Sequence, residues 1–204
     1  MLSRVKIAVL VSGGGTNLQA LIDAERRGDI KSGKIELVIS NKPEAYALER
    51  AKLAGISTAV VDKRDCSDRA DFEECIIRQL DSAGIELIIL AGFMSILSES
   101  FTKRYENRII NVHPSLIPAF CGDGYYGLRV HEAALRYGVK LTGATVHFVN
   151  EITDGGKIIM QRAVEVREGD TPESLQRRVM EEAEWQILPM SCELVCKEIL
   201  DSKN

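Results

Sequence analysis

The sequence predicts an α/β protein in which a mostly parallel central sheet is flanked by helices. Short apolar runs rich in β-branched residues alternate with longer helical patterns, and that alternation implies parallel strands joined by helical crossovers. The first run, Val5 to Val11, is broken only by Lys6, as expected for a strand buried on both faces. The chain has 204 residues, 45% apolar and 27% charged, an ordinary globular composition that rules out a disordered chain, a collagen-like chain and a small disulfide scaffold. We expect one domain spanning residues 1–204, because two would leave only about 100 residues each.

The elements follow in order. After strand 5–11 comes a helical stretch at 17–27, strand 35–39, helix 43–53, strand 58–61 and helix 69–80. In that last helix Phe72, Ile76, Ile77 and Leu80 recur near the 3.6-residue period. Strand 85–90 and strand 109–112 come next, then a passage rich in Pro and Gly at 113–127 and a helix to about residue 137. Two further strands, 141–149 and 157–166, are joined by a loop at 150–156. Thr171 and Pro172 open a final helix that runs to about residue 200, with Pro at its first position.

Composition narrows the function classes. Lys and Arg total 26 against 30 Asp and Glu, a net charge of −4, and the basic residues are scattered, which disfavours nucleic acid as a partner. Five cysteines without a C-x-x-C pair read as reduced thiols of a cytoplasmic protein. Cys192 and Cys196 share a helix face and resemble half a metal site, but no histidine lies near them in sequence; they read as core residues and no metal is expected. An export signal and an apolar run of about 18 residues are both missing, so no membrane association is expected.

Two motifs carry chemistry. Strand 5–11 runs into Ser12-Gly13-Gly14-Gly15-Thr16-Asn17 and then a helix, so backbone N–H groups and the helix N-terminus can face one anion. The loop lacks Gly-Lys-Ser/Thr, and Leu18 stands where a dinucleotide fingerprint needs its third glycine. A single phosphate monoester fits, and so does a plain tight turn capped by Thr16 or Asn17. Farther on, Ile110-Asn111-Val112-His113-Pro114 puts Asn111 and His113 on one face at the C-terminal end of a buried strand. Histidine moves protons near neutral pH and an Asn amide donates to an oxygen gaining negative charge, a pairing suited to direct transfer at a carbonyl carbon. No G-x-S-x-G elbow points to a covalent acyl-enzyme. Asp154, in Thr153-Asp154-Gly155-Gly156, is either the acid that raises the His113 pKa or part of a hairpin turn.

These segments, together with Leu90-Ala91-Gly92-Phe93-Met94 and Asn111-Val112-His113-Pro114-Ser115-Leu116-Ile117-Pro118, resemble in kind and order the phosphoribosylglycinamide formyltransferases. The likeness spans nearly the whole chain, to Glu184 and Pro189. It implies the formyltransferase fold with a Rossmann-like N-terminal half, 10-formyltetrahydrofolate as co-substrate, and small-molecule partners for a monomer or homodimer. By the same likeness the amine of glycinamide ribonucleotide attacks the formyl carbon in purine synthesis. Asn111 and protonated His113 would stabilise the oxyanion, with Asp154 holding up the His113 pKa. Gly13, Gly14, Gly15, Thr16 and Asn17 would meet the substrate phosphate, and Glu181, Glu182, Ala183 and Glu184 its ribose. Arg69, Met94, Ser95, Ile96, Leu97 and Asn111 would contact folate, with the loop Asn150, Glu151, Ile152, Thr153 and Asp154.

Two departures stand out. Ser95 occupies a position where many relatives carry Arg, and residues 119–130 form a segment longer than the common one, either a lid with Phe120, Tyr125 and Tyr126 or a self-packed surface loop. Related enzymes sharing the catalytic motif, methionyl-tRNA formyltransferase and formyltetrahydrofolate hydrolase, carry an extra domain for which 204 residues are expected to leave no room. A sugar-amine formyltransferase and a non-catalytic phospho-ligand binder are the competing readings. The glycine loop argues against the first, and Asn111, His113 and Asp154 against the second.

Overall fold

The computed structural model describes residues 4–203; Met1 to Ser3 and Asn204, which the expected 1–204 domain includes, lie outside the described residues. Seven strands form one sheet in the order β3-β2-β1-β4-β5-β6-β7. They are β1 Val5–Val11, β2 Gly33–Ser40, β3 Ser57–Val60, β4 Leu87–Leu90, β5 Ile109–His113, β6 Leu141–Phe148 and β7 Ile158–Glu165. The first five are parallel; β6 and β7 run antiparallel to their neighbours. Seven helices surround them: α1 Thr16–Arg27, α2 Tyr46–Leu53, α3 Arg69–Ala83, α4 Glu99–Arg104, α5 Leu128–Tyr137, α6 Pro172–Val179 and α7 Trp185–Asp201.

Both faces of the sheet are covered, which is why β1 lacks alternation. Val5, Ile7, Val9 and Val11 pack with Leu18 and Leu21 of α1, Leu175 of α6 and Ile187 of α7. Ala8 and Leu10 point the other way, against Phe72, Ile76 and Leu80 of α3 and Phe101 of α4. The 3.6-residue pattern in residues 69–80 is thus the face of α3 that covers the sheet. The six-residue α4 carries too short a pattern to show in the sequence, and its boundary is set by the Ser98 side chain, which accepts from the Phe101 N–H.

Chain order places the ligand cleft. The chain leaves β1 for β2 and β3 on one side and then crosses to β4 on the other, so the carboxyl ends of β1 and β4 part and open a crevice. The glycine loop follows β1, residues 91–98 follow β4, and His113 ends β5 at that same edge. At the far end of the chain the expected continuous helix is divided. Thr171 caps α6 through a reciprocal pair with Ser174, and a wide π turn, Met180–Glu184, separates α6 from α7. Among the described residues no helix is long and apolar enough to cross a membrane.

Candidate active site

Register across the antiparallel pair builds the polar cluster. Asn111 lies opposite His147 and His113 opposite Thr145, so two histidines and an amide share one face of β5 and β6. The connection from β6 to β7 folds back over this face and brings Asp154 to it. Its Oδ2 lies 3.4 Å from His113 Nδ1 and its Oδ1 3.6 Å from His147 Nε2. Gly156 permits that fold: a Cβ there would stand 1.8 Å from the Phe148 carbonyl oxygen. The segment is a hairpin connection, as its Asp-Gly-Gly spelling suggests, and it also delivers an acid.

The backbone decides which nitrogens carry hydrogen. His113 Nε2 lies 2.8 Å from the Phe120 carbonyl, which can only accept, so the proton of the neutral ring sits on Nε2 and Nδ1 presents its lone pair beside Asp154. His147 Nδ1 likewise donates to the Phe148 carbonyl at 2.8 Å, which leaves Nε2 to accept from the Asn111 amide at 3.3 Å. One amide hydrogen of Asn111 is thereby held by His147, and the second is free in direction for a ligand oxygen. Burial pushes the His113 imidazole below its ordinary value, against the pull of the Asp154 carboxylate and the Phe120 carbonyl. Asp154 therefore acts in the expected direction, but desolvation outweighs it and the net shift favours the neutral ring. Burial alone would raise the Asp154 carboxyl, yet the His147 and His113 rings, in their protonated forms, and the Gly122 N–H at 2.9 Å together hold it below its usual range. The cluster is an imidazole whose neutral form burial favours, beside a carboxylate that stabilises it once charged.

The glycine loop lies across the crevice. Asn17 donates to Glu184 at 2.6 Å, which joins the loop to the π turn. Burial pushes the Glu184 carboxyl up to about 7, with the Asn17 amide opposing. A cavity of about 270 Å³ opens beside the loop, lined by Thr16, Gln19, Asp23, Arg50 and Trp185 among others.

A family model described as Formyl transferase matches residues 5–191, which include the loop and the polar cluster. The chain belongs to the formyl transferase family. It is 45% identical over 185 residues to the phosphoribosylglycinamide formyltransferase of Haemophilus influenzae, covering 91% of this chain and 84% of that one. It is also 46% identical to the trifunctional purine biosynthetic protein adenosine-3 of Gallus gallus, over 95% of this chain but only 18% of that longer protein. The crystal structure of glycinamide ribonucleotide transformylase 1 from Symbiobacterium toebii superposes with a TM-score of 0.89 at 42% identity, covering 96% of this chain and 89% of that one.

Within this formyl transferase the structure sorts the residues singled out in the sequence. Asn111, His113 and Asp154 converge. Of Met94, Ser95, Ile96 and Leu97, only Met94 and Ile96 present exposed side chains. Ser95 is buried and its hydroxyl accepts from Asn41 at 2.9 Å, while Leu97 belongs to the core. Both side chains are buried, at 6% and 7% exposure, and present little surface to a ligand. Ala183 is likewise a core residue, whereas Glu181 and Glu182 are exposed and Glu184 is buried. Arg69 pairs with Glu73 at 3.2 Å, and Glu73 accepts from Ser98 N–H at 2.7 Å; these bonds tie Arg69 to the junction of α3 and α4 rather than to the polar cluster. In the loop, Asn150 accepts from Ile152 N–H, Glu151 and Ile152 are exposed, and Thr153 donates to Asp123 at 3.1 Å. That last bond, with Gly122 on Asp154 and Phe120 on His113, docks the long 119–130 segment on the cluster. His147 is the residue that sequence reasoning missed. Period two along 141–149 places it with Thr145, but its partner across the sheet depends on register.

Proposed function

We propose that this formyl transferase moves the formyl group of 10-formyltetrahydrofolate to the amine of glycinamide ribonucleotide, a step of purine biosynthesis. The observation that carries the reading is the convergence of Asn111, His113 and Asp154 at the end of β5, facing a glycine loop across the crevice. The names of the relatives support the formyl group and the acceptor.

In the reaction the amine nitrogen bonds to the formyl carbon, the bond from that carbon to folate nitrogen breaks, and a proton passes from the amine to the departing nitrogen. Asn111 donates its free amide hydrogen to the formyl oxygen as that oxygen gains negative charge. His113 takes the amine proton at Nδ1, and Asp154 steadies the imidazolium that forms. A neutral base suits an amine nucleophile, which must lose a proton during transfer. The backbone N–H groups of residues 13–17 and the N-terminus of α1 would hold the phosphate, and Glu184 the ribose. Met94, Ile96 and Ile152 are exposed apolar side chains near the crevice loops and suit the flat, largely apolar body of a folate. Five free cysteines suit a reducing cytoplasm, and we propose a monomer or homodimer with small-molecule partners and no metal. Inorganic phosphate tests the acceptor: it should inhibit competitively with glycinamide ribonucleotide, and failure to compete would remove the loop from the account.

A further inference from the structure

The loop contains no cation of its own, and carboxylates stand near it: Glu184 on Asn17, and Asp23, which accepts from Gln19 at 2.9 Å. Helix α2 packs on its other side. Ala47 N–H donates to the Gly13 carbonyl at 3.1 Å, and Arg50 Nε donates to the Gly14 carbonyl at 2.8 Å. Arg50 Nη1 also donates to Gln19 at 3.1 Å, so the guanidinium bridges the loop and the first turns of α1. In a planar trans peptide the C=O and the following N–H point in opposite directions. With the carbonyls of Gly13 and Gly14 drawn toward α2, the N–H groups of Gly14 and Gly15 face away from it, and neither is used in a hydrogen bond within the described chain. Gly15 itself has φ +73°, and a Cβ there would lie 2.6 Å from that of Ala47, so the loop cannot move closer to α2.

We propose that Arg50 is a positioning residue for the phosphate of the acceptor: it turns the Gly14–Gly15 peptide so that its N–H faces the anion, and it supplies the cation behind the loop. The inference rests on the proposed acceptor and goes beyond it by assigning the selectivity for a phosphorylated amine to a side chain outside the loop. Stacking over the Tyr46 ring, 5.1 Å from its centroid, holds the guanidinium plane in place. A Lys in its stead keeps the charge but not the two-directional grip.

The test compares wild type with Arg50→Met and Arg50→Lys. For Arg50→Met, KM for glycinamide ribonucleotide and the competitive Ki of inorganic phosphate should both rise about 10- to 100-fold, the range for losing a charge-assisted contact. The kcat and the KM for 10-formyltetrahydrofolate should change less than about threefold. With glycinamide riboside, which lacks the phosphate, the penalty should vanish, and Arg50→Lys should recover part of the loss. An equal penalty on the riboside, or a Ki for phosphate that stays put, would overturn the proposal. If wild type transfers no formyl group to this acceptor, the functional reading fails by itself. Calorimetric titration with inorganic phosphate then still decides Arg50, since equal affinity in wild type and Arg50→Met refutes its role.

Discussion

His113 meets a carbonyl on one nitrogen and a carboxylate on the other, and this arrangement makes its pH behaviour testable. The acid limb of kcat reports the loss of neutral His113. Removing the carboxylate in Asp154→Asn takes away the group that pulls the imidazole pKa up, so that limb should move to lower pH even as kcat falls. A limb that stays in place or moves up would contradict the pairing. Asn111→Ala removes the proposed oxyanion donor and His113→Ala the proposed base, and each should lower kcat by at least about 10²–10³-fold. His131 presents a different residue-scale effect. It is fully buried without a hydrogen-bond partner on either nitrogen, and burial lowers its pKa to about 4, with His113 adding a smaller push. A base whose folded pKa is depressed contributes stability that is present above the unfolded value of 6.5 and is lost as pH falls toward about 4. Denaturant unfolding across that window should show His131→Phe losing less stability than wild type, by about 3 kcal/mol at the lower end. Parallel losses would refute it. The local spelling Asn-x-His made the first two groups legible, whereas His147 and Phe120 reach them only through register and a folded-back segment.

At the scale of elements, legibility followed the length of the pattern. Strand β1 and helix α1 each announce themselves by a long apolar run or a full helical period closed by glycine, and the structure keeps them within a residue of the expected limits. Helix α4 has one turn and a half and left no periodic trace. The division between α6 and α7 was invisible for another reason: Pro189 and the π turn do not interrupt the apolar pattern, but the wide turn swings Glu184 inward to Asn17. The glycine loop is itself an element under constraint. Gly15→Ala would add a methyl at a left-handed position and against Ala47, so thermal unfolding should move down by several degrees, consistent with a loss of about 1–3 kcal/mol. Phosphate affinity should fall with it. An unchanged melting temperature would mean that α2 does not set the loop.

For the whole molecule, the crossover from β3 to β4 separates two loops at the sheet edge, and the reversal of β6 returns an acid to the same edge. Parallel order was readable from alternating runs and the β6–β7 hairpin from its Asp-Gly-Gly turn; the antiparallel pairing of β6 with β5 was not, because strand direction depends on how a loop closes rather than on apolar spacing. The chain spans 18% of the Gallus gallus trifunctional relative and 84% of the Haemophilus influenzae relative. The decisive measurement incubates the purified protein with glycinamide ribonucleotide and 10-formyltetrahydrofolate and follows both products. Formylglycinamide ribonucleotide and tetrahydrofolate should appear in equal amounts with wild type and fall at least about 10²-fold in rate with Asn111→Ala. Formylation of a different amine, or undiminished turnover in that variant, would contradict the account.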